Sequence, residues 1–337
     1  MIPDRQVTRR WQAAFGTLLA LAALVFVGCG EKPQKTYHVG ILSGLEYFAD
    51  TVDGFKERMN ELGYTEGKNI VYDLHKTDFD MAVYEPVLKG FVGDKVDLIF
   101  VFPTEASLAA KALTKGTNIP VVFAQANIEG VDLVNSLREP GGNITGVRFP
   151  GPDLAMRRFE IMAQLAPDAR RYWIPYQRGY PIVESQLAVL RPAAAARGIT
   201  LIECPADGAA DVRDILSKIA SSSDPGMDAI LFIAEPLAVT PDSFEVVAKF
   251  AAEHKLPVGG ALMTVNGYGS IYGVATNNVV AGKHAANMAD KILKGTPPGI
   301  IPVVSDESFL EINAKTAREI GVVVPESLLY QADKIIN

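Results

Sequence analysis

Leu98-Ile99-Phe100-Val101-Phe102-Pro103-Thr104-Glu105-Ala106-Ser107 joins an unbroken apolar run to a polar one. Its first five residues are all apolar and leave no polar face, so they read as a strand buried on both sides. Pro103 stops the run, and a threonine, a glutamate and a serine follow, the composition of a helix start. A doubly buried strand passing straight into a helix is the unit of a parallel sheet whose crossovers cover both faces.

The alternation extends in both directions. Before it, Tyr37 to Leu42 is a strand, Thr51 to Leu62 a helix closed by Gly63, Asn69 to Leu74 a strand and Tyr84 to Gly93 a helix. After it, Leu108 to Leu113 is helical and Pro120 to Phe123 is a strand. Arg138 to Val147 holds the densest cluster of turn residues and marks a crossing between two lobes. A second series then begins with the helix Asp153 to Leu165, the strand Arg171 to Pro175 and the helix Ile182 to Arg197. It continues with the strand Thr200 to Glu203, the helix Asp211 to Ser221, the strand Ala229 to Ile233, the helix Asp242 to His254 and the strand Pro257 to Gly260. Residues 270–294 add one strand and helix, and residues 302–330 a last pair. The expected architecture is α/β, two doubly wound parallel-sheet lobes joined by a hinge. Residues 37–147 plus about 270–300 form the first lobe, and 148–269 plus about 301–337 the second.

The N-terminus is of another kind. Arg5, Arg9 and Arg10 lead an uncharged run from Ala13 to Val27, which ends at Gly28 and Cys29. A basic leader, a short apolar core and a small residue at the cut define a signal peptide, here residues 1–28. The apolar run falls short of the roughly 20 residues that cross a bilayer. Residues 29–36 follow as a polar tether.

Composition narrows the function classes. The 337 residues are 48% hydrophobic and 21% charged, which is enough for real cores, and the net charge of −7 argues against a nucleic-acid partner. Cys204 has no second cysteine in the mature chain, so no disulfide is expected. His38, His75, His254 and His284 are scattered without ligand spacing, so neither a metal nor a cofactor is expected. There is no GxSxG, HExxH or GxxxxGK[ST] motif, and Gly141-Gly142-Asn143 does not continue as GxGxxG. No enzyme is therefore expected.

In open α/β sheets a ligand lies beyond the carboxyl ends of the strands. That rule nominates Ser43, Glu46 and Tyr47 after the first strand, Thr104 after Phe102, and Gln125 and Asn127 after Phe123. In the second series it nominates Tyr176, Glu235 and Asn277. Thr104 and Ser107 would either cap their helix or help hold an anion. Glu46, Glu105 and Glu235 would pair with a ligand amine or hydroxyl, or stand as solvated loop carboxylates. Tyr47, Tyr176 and Tyr180 would stack on a ring or serve as packing, and Arg178 would clamp an anion or sit on the surface.

At these residues the chain resembles the ABC-transporter substrate-binding lipoproteins of the tryptophan/tyrosine type. Gly54-Phe55, Leu62-Gly63-Tyr64 and Glu66-Gly67-Lys68-Asn69-Ile70 are similar to one block of that family, and Lys95-Val96-Asp97-Leu98-Ile99 to another. Pro140-Gly141-Gly142-Asn143-Ile144-Thr145-Gly146-Val147 and Pro325-Glu326-Ser327-Leu328-Leu329 are the most specific matches. Phe26-Val27-Gly28-Cys29 resembles a bacterial lipobox, which implies lipidation at Cys29. The resemblance implies a periplasmic-binding-protein-like type I fold and an exported lipoprotein, periplasmic or otherwise extracytoplasmic. Its only membrane contact would be the anchor at Cys29. It also implies a monomer that captures a small solute between its lobes, amino-acid-like solutes included, and delivers it to a permease and an ATPase. The family's ligand loops fall on the nine residues nominated above. Three positions depart from it: Phe48-Ala49 stands for His-Pro, Ile128-Glu129 for Asp-Pro, and Asn277 for an acidic residue. The alternative function on the same scaffold is a ligand-sensing module for a membrane kinase or chemoreceptor.

Overall fold

The run Leu98–Phe102 is buried along its whole length at the middle of a six-stranded sheet. Alternation sends Leu98, Phe100 and Phe102 to one apolar cluster and Ile99 and Val101 to the other. In this computed structural model, residues 35–220 and 224–337 are described. The expected signal peptide, Cys29 and the tether up to residue 34 lie outside the described residues.

The first sheet takes β1 (Tyr37–Ser43), β2 (Ile70–Lys76), β3 (Leu98–Phe102), β4 (Val121–Ala126) and β5 (Ile144–Arg148), all pairing in parallel. The order β5-β4-β3-β1-β2 places a topological switch between β1 and β3, where Ser43 pairs with Phe102. Helices α1 (Asp50–Glu61), α2 (Tyr84–Gly93) and α3 (Thr104–Leu113) make the crossovers. Leu88 and Phe91 of α2 and Ala106 and Ala110 of α3 cover one face.

The second series begins with α4 (Gly151–Leu165) and continues through β6 (Arg171–Gln177), α5 (Val183–Ala196), β7 (Thr200–Ala206), α6 (Ala209–Ala220), β8 (Ala229–Leu231), α7 (Pro241–Glu253) and β9 (Val258–Gly260). A small hairpin of β10 (Thr264–Val265) and β11 (Tyr268–Gly269) leads to β12 (Tyr272–Thr276). Helix α8 (Asn278–Leu293) and the strands β13 (Val304–Ser305), β14 (Ser308–Asn313) and β15 (Lys334–Ile336) follow. The short helices α9 (Ala314–Glu319) and α10 (Glu326–Gln331) lie between the last two strands. The second sheet runs β15-β14-β12-β9-β8-β6-β7 and is parallel except for the β12–β14 pair.

Each sheet has apolar cover on both faces, and two lobes result. Strand β12 belongs to the second sheet, whereas α8 packs on α1 of the first lobe and β13 pairs with β5. The segment 270–300 is thus divided between lobes, as is 301–337. The α1–α8 contact is close because it is made through glycines. A methyl carbon on Gly54 would run into the Val279 carbonyl, and one on Gly282 into the Thr51 carbonyl. The chain crosses between lobes three times, after Arg148, after Thr276 and after Ser305. Arg148 ties two of these crossings, since it donates to Asp153 at 2.9 Å and to Ser305 at 3.3 Å while Nε bonds Glu129 at 2.6 Å.

Candidate functional site

The carboxyl edges of the two sheets face each other across a cavity of about 40 Å³. That is room for about three water molecules. Tyr47, Thr104 and Gln125 reach it from the first lobe, and Arg158, Glu235 and Thr276 from the second. Leu45, Phe48, Phe149 and Ile182 make the rest of its wall largely apolar.

The lobes are drawn together over this space by named contacts. The Tyr180 hydroxyl of the second lobe donates to Glu105 Oε2 of α3 at 3.1 Å, and its ring lies 6.0 Å from that of Phe79. Asn127 Nδ2 donates to Ser185 Oγ at 3.3 Å. Thr276 Oγ1 donates to Gln125 Oε1 at 3.0 Å, and Gln125 Nε2 donates to Asn278 Oδ1 at 3.1 Å, so both ends of that amide are occupied.

Four of the nine nominated residues line the cavity: Tyr47, Thr104, Gln125 and Glu235. Thr104 Oγ1 accepts the Asn127 N–H at 3.0 Å, which ties α3 to the end of β4. No side chain caps α3, and Ser107 Oγ turns back to the Pro103 carbonyl at 2.6 Å. Glu235 ends the strand side of the cleft. Its Oε2 accepts the N–H groups of Gln177 and Leu237 at 2.9 Å, and its Oε1 that of Ala238 at 2.7 Å. Burial pushes this carboxyl up to about 7 against those three bonds and the pull of Arg158.

The other five stand elsewhere. Ser43 is buried at the end of β1 with no partner for its hydroxyl. Glu46 is exposed, with Lys76 Nζ at 3.6 Å. Asn127 is buried behind Thr104 and donates to the Glu129 carbonyl at 2.8 Å. Its Oδ1 would lie 2.7 Å from any Cβ at position 151, which is why α4 opens on a glycine. Tyr176 packs against the apolar core, and Asn277 caps α8 by accepting the Val280 N–H at 3.1 Å. Asn277 also lines a wider neighbouring hollow of about 380 Å³ with Phe309 and Glu311. Arg178 is on the surface, bonded to Asp207 at 2.9 Å, so the anion clamp considered for it is not formed.

Glu105, a carboxylate that follows a strand end, and Arg158, which no strand end suggests, take their places through tertiary structure. Glu105 is not on the cavity wall but behind it; burial pushes its carboxyl up to about 7, and its Oε1 has no partner. Arg158 lies in the middle of α4, 3% exposed, with its guanidinium against the strand ends of the second sheet. Its signal in the sequence is a charge on an apolar stripe, since Leu154, Ala155, Ile161, Met162 and Leu165 are among the other buried positions of that helix.

Comparison with known proteins bears on the family and the fold. Residues 41–336 match the model of a family described as ABC transporter substrate binding protein. A tyrosine-binding protein of Clostridioides difficile is 26% identical over 294 residues, 86% of this chain and 82% of that protein. A crystal structure of a conserved domain protein from Vibrio cholerae has a TM-score of 0.77 at 26% identity, covering 89% of this chain and all of that one. A domain from Streptococcus pneumoniae in complex with L-Trp also has a TM-score of 0.77, at 22% identity, covering 90% of this chain and 100% of that one.

Proposed function

The chain belongs to the ABC transporter substrate binding protein family, and from that premise we propose that it captures a small, amino-acid-like solute in the cavity between its lobes. Closure is a rotation about the three crossings at Arg148, Thr276 and Ser305, and the closed form delivers the solute to a permease served by an ATPase. The observation that carries this reading is the cavity itself. Polar groups of both lobes converge on one enclosed space at the carboxyl edges of both sheets. A solute there stabilises closure because it touches residues that only the closed arrangement brings together. The relatives named for tyrosine and bound to L-Trp support the amino-acid-like class.

Within this reading the two moving bodies are 37–147 with α8 and β13, and 148–276 with the segment from β14 onward. The protein works outside the cytoplasm as a monomer, held to a membrane by lipid on Cys29. No catalytic group is required. The test is a thermal-unfolding screen against amino acids, organic acids, amines and sugars. A true solute at about 100 times its Kd should add about 2.7 kcal/mol to stability. A screen in which no solute of any class raises the unfolding temperature refutes capture. For the anchor, Cys29→Ser should move the protein from the membrane fraction to the soluble one, and unchanged membrane retention refutes lipidation there.

A further inference from the structure

Arg158 carries a charge into a place where charges are costly. The residue is 3% exposed, and a buried guanidinium without a counter-ion is destabilising. Its hydrogen bonds go to neutral carbonyls. Nε and Nη2 donate to the Val274 carbonyl at 3.0 and 2.7 Å, and Nη1 donates to the Phe232 carbonyl at 3.3 Å. Among the described residues no carboxylate forms an ion pair with it; Glu235 acts on it only through its charge. Of five N–H groups, three are used, and one on each terminal nitrogen remains.

The same side chain lines the interlobe cavity. The groups that share its surroundings are Tyr47 from the first lobe, Tyr272 and Glu235. Tyr272 donates its hydroxyl to the Arg158 carbonyl at 2.5 Å, so it serves the backbone and not the guanidinium. Glu235 holds three backbone N–H groups. The protein thus leaves a buried cation on a cavity wall, and among the described residues no carboxylate pairs with it.

We propose that the missing counter-charge belongs to the solute, and that Arg158 anchors a carboxylate on it. The two unspent N–H groups suit the two oxygens of such an acid. Tyr47 approaches the same place from the other lobe, so a bound acid joins both lobes. The inference rests on the capture reading given above and names its ligand class. The solute is a small organic acid, amino acids among them, and not a sugar or a simple amine.

The experiment uses the chain purified from its host and matched probes that differ only in charge, followed by calorimetric titration. One set is L-tyrosine, 3-(4-hydroxyphenyl)propanoate and tyramine; a second is L-valine, 3-methylbutanoate and 2-methylpropylamine; glucose and ribose serve as neutral probes. Binding is expected only for probes that carry a carboxylate, with removal of the acid weakening it by roughly 100-fold. Arg158→Lys should weaken acid binding about tenfold, because the charge stays and the planar fork is lost. Arg158→Gln should abolish it. The comparison of probes on the unaltered chain stands even if that variant does not fold. An amine or sugar that binds as tightly as an acid, or an Arg158→Gln protein that binds acids with unchanged affinity, overturns the anchor while leaving solute capture intact. If no probe of any charge binds, the anchor fails together with the capture reading.

Discussion

Replacing Glu105 by glutamine should change how stability depends on pH. The ordinary carboxyl value of 4.5 rises here to about 7, because burial disfavours the charge more than the Tyr180 and Tyr84 hydroxyls favour it. In the folded protein Glu105 therefore keeps its proton over a window in which the unfolded chain has released it. Stability conferred by that proton is complete below about pH 4.5 and is lost as pH rises toward 7. The gap corresponds to about 3 kcal/mol at 1.36 kcal/mol per pH unit. Glutamine has the shape of the protonated acid, still accepts the Tyr180 hydroxyl and does not titrate. In urea unfolding, Glu105→Gln should match the parent near pH 5 and exceed it by about 2–3 kcal/mol at pH 8. Some slope remains in the variant, because Glu235 is raised to about 7 and Asp306, beside His284, to about 6. Two stability curves that stay parallel from pH 5 to pH 8 would show that Glu105 is ionised throughout and that its burial is compensated.

Gly282→Ala should destabilise the protein by about 1–3 kcal/mol in thermal or urea unfolding, since the new carbon meets the Thr51 carbonyl and lies 2.7 Å from Phe55 N, and backbone cannot step aside. An unchanged midpoint would mean that α1 and α8 separate freely. Tyr180→Phe removes the hydroxyl that reaches Glu105 from the other lobe. A hydrogen bond to a neutral acid contributes about 0.5–1.5 kcal/mol net, so affinity for any solute found in the screen should fall by roughly two- to tenfold. Calorimetric titration measures this, and unaltered affinity would remove the contact from the closing mechanism.

The strands and helices were legible because their periods report burial directly. Tyr84–Gly93 and Leu98–Phe102 have the same limits in sequence and structure. What the pattern could not assign was membership. Strand β12 and helix α8 are one residue apart in the chain yet serve different lobes, and nothing in an apolar run says which sheet will receive it. Strand β5 was hidden inside a turn-rich segment, and its Gly146 is explained only by the Phe123 carbonyl and ring that press on it. The site was partly visible for the same reason. Strand ends locate Thr104 and Gln125, but Asn277 is consumed by a local cap, a role that asparagine at a helix start already suggests. Arg158 escapes a search of strand ends because it comes from the flank of a helix, where only tertiary packing shows that its stripe faces a cavity.

The third crossing has a bearing on how the molecule is made. Helix α8 closes the face of α1, and β13 completes the first sheet, so the first lobe stays open until residue 305 has followed the second lobe's strands. An N-terminal lobe would otherwise fold first during synthesis. Here Phe55 and Phe100 share one apolar cluster with Ala281, Ala285 and Met288 of α8, and such long-range pairings are of the slow kind. The interleaved path makes completion of the first lobe depend on chain that comes after the second lobe's strands.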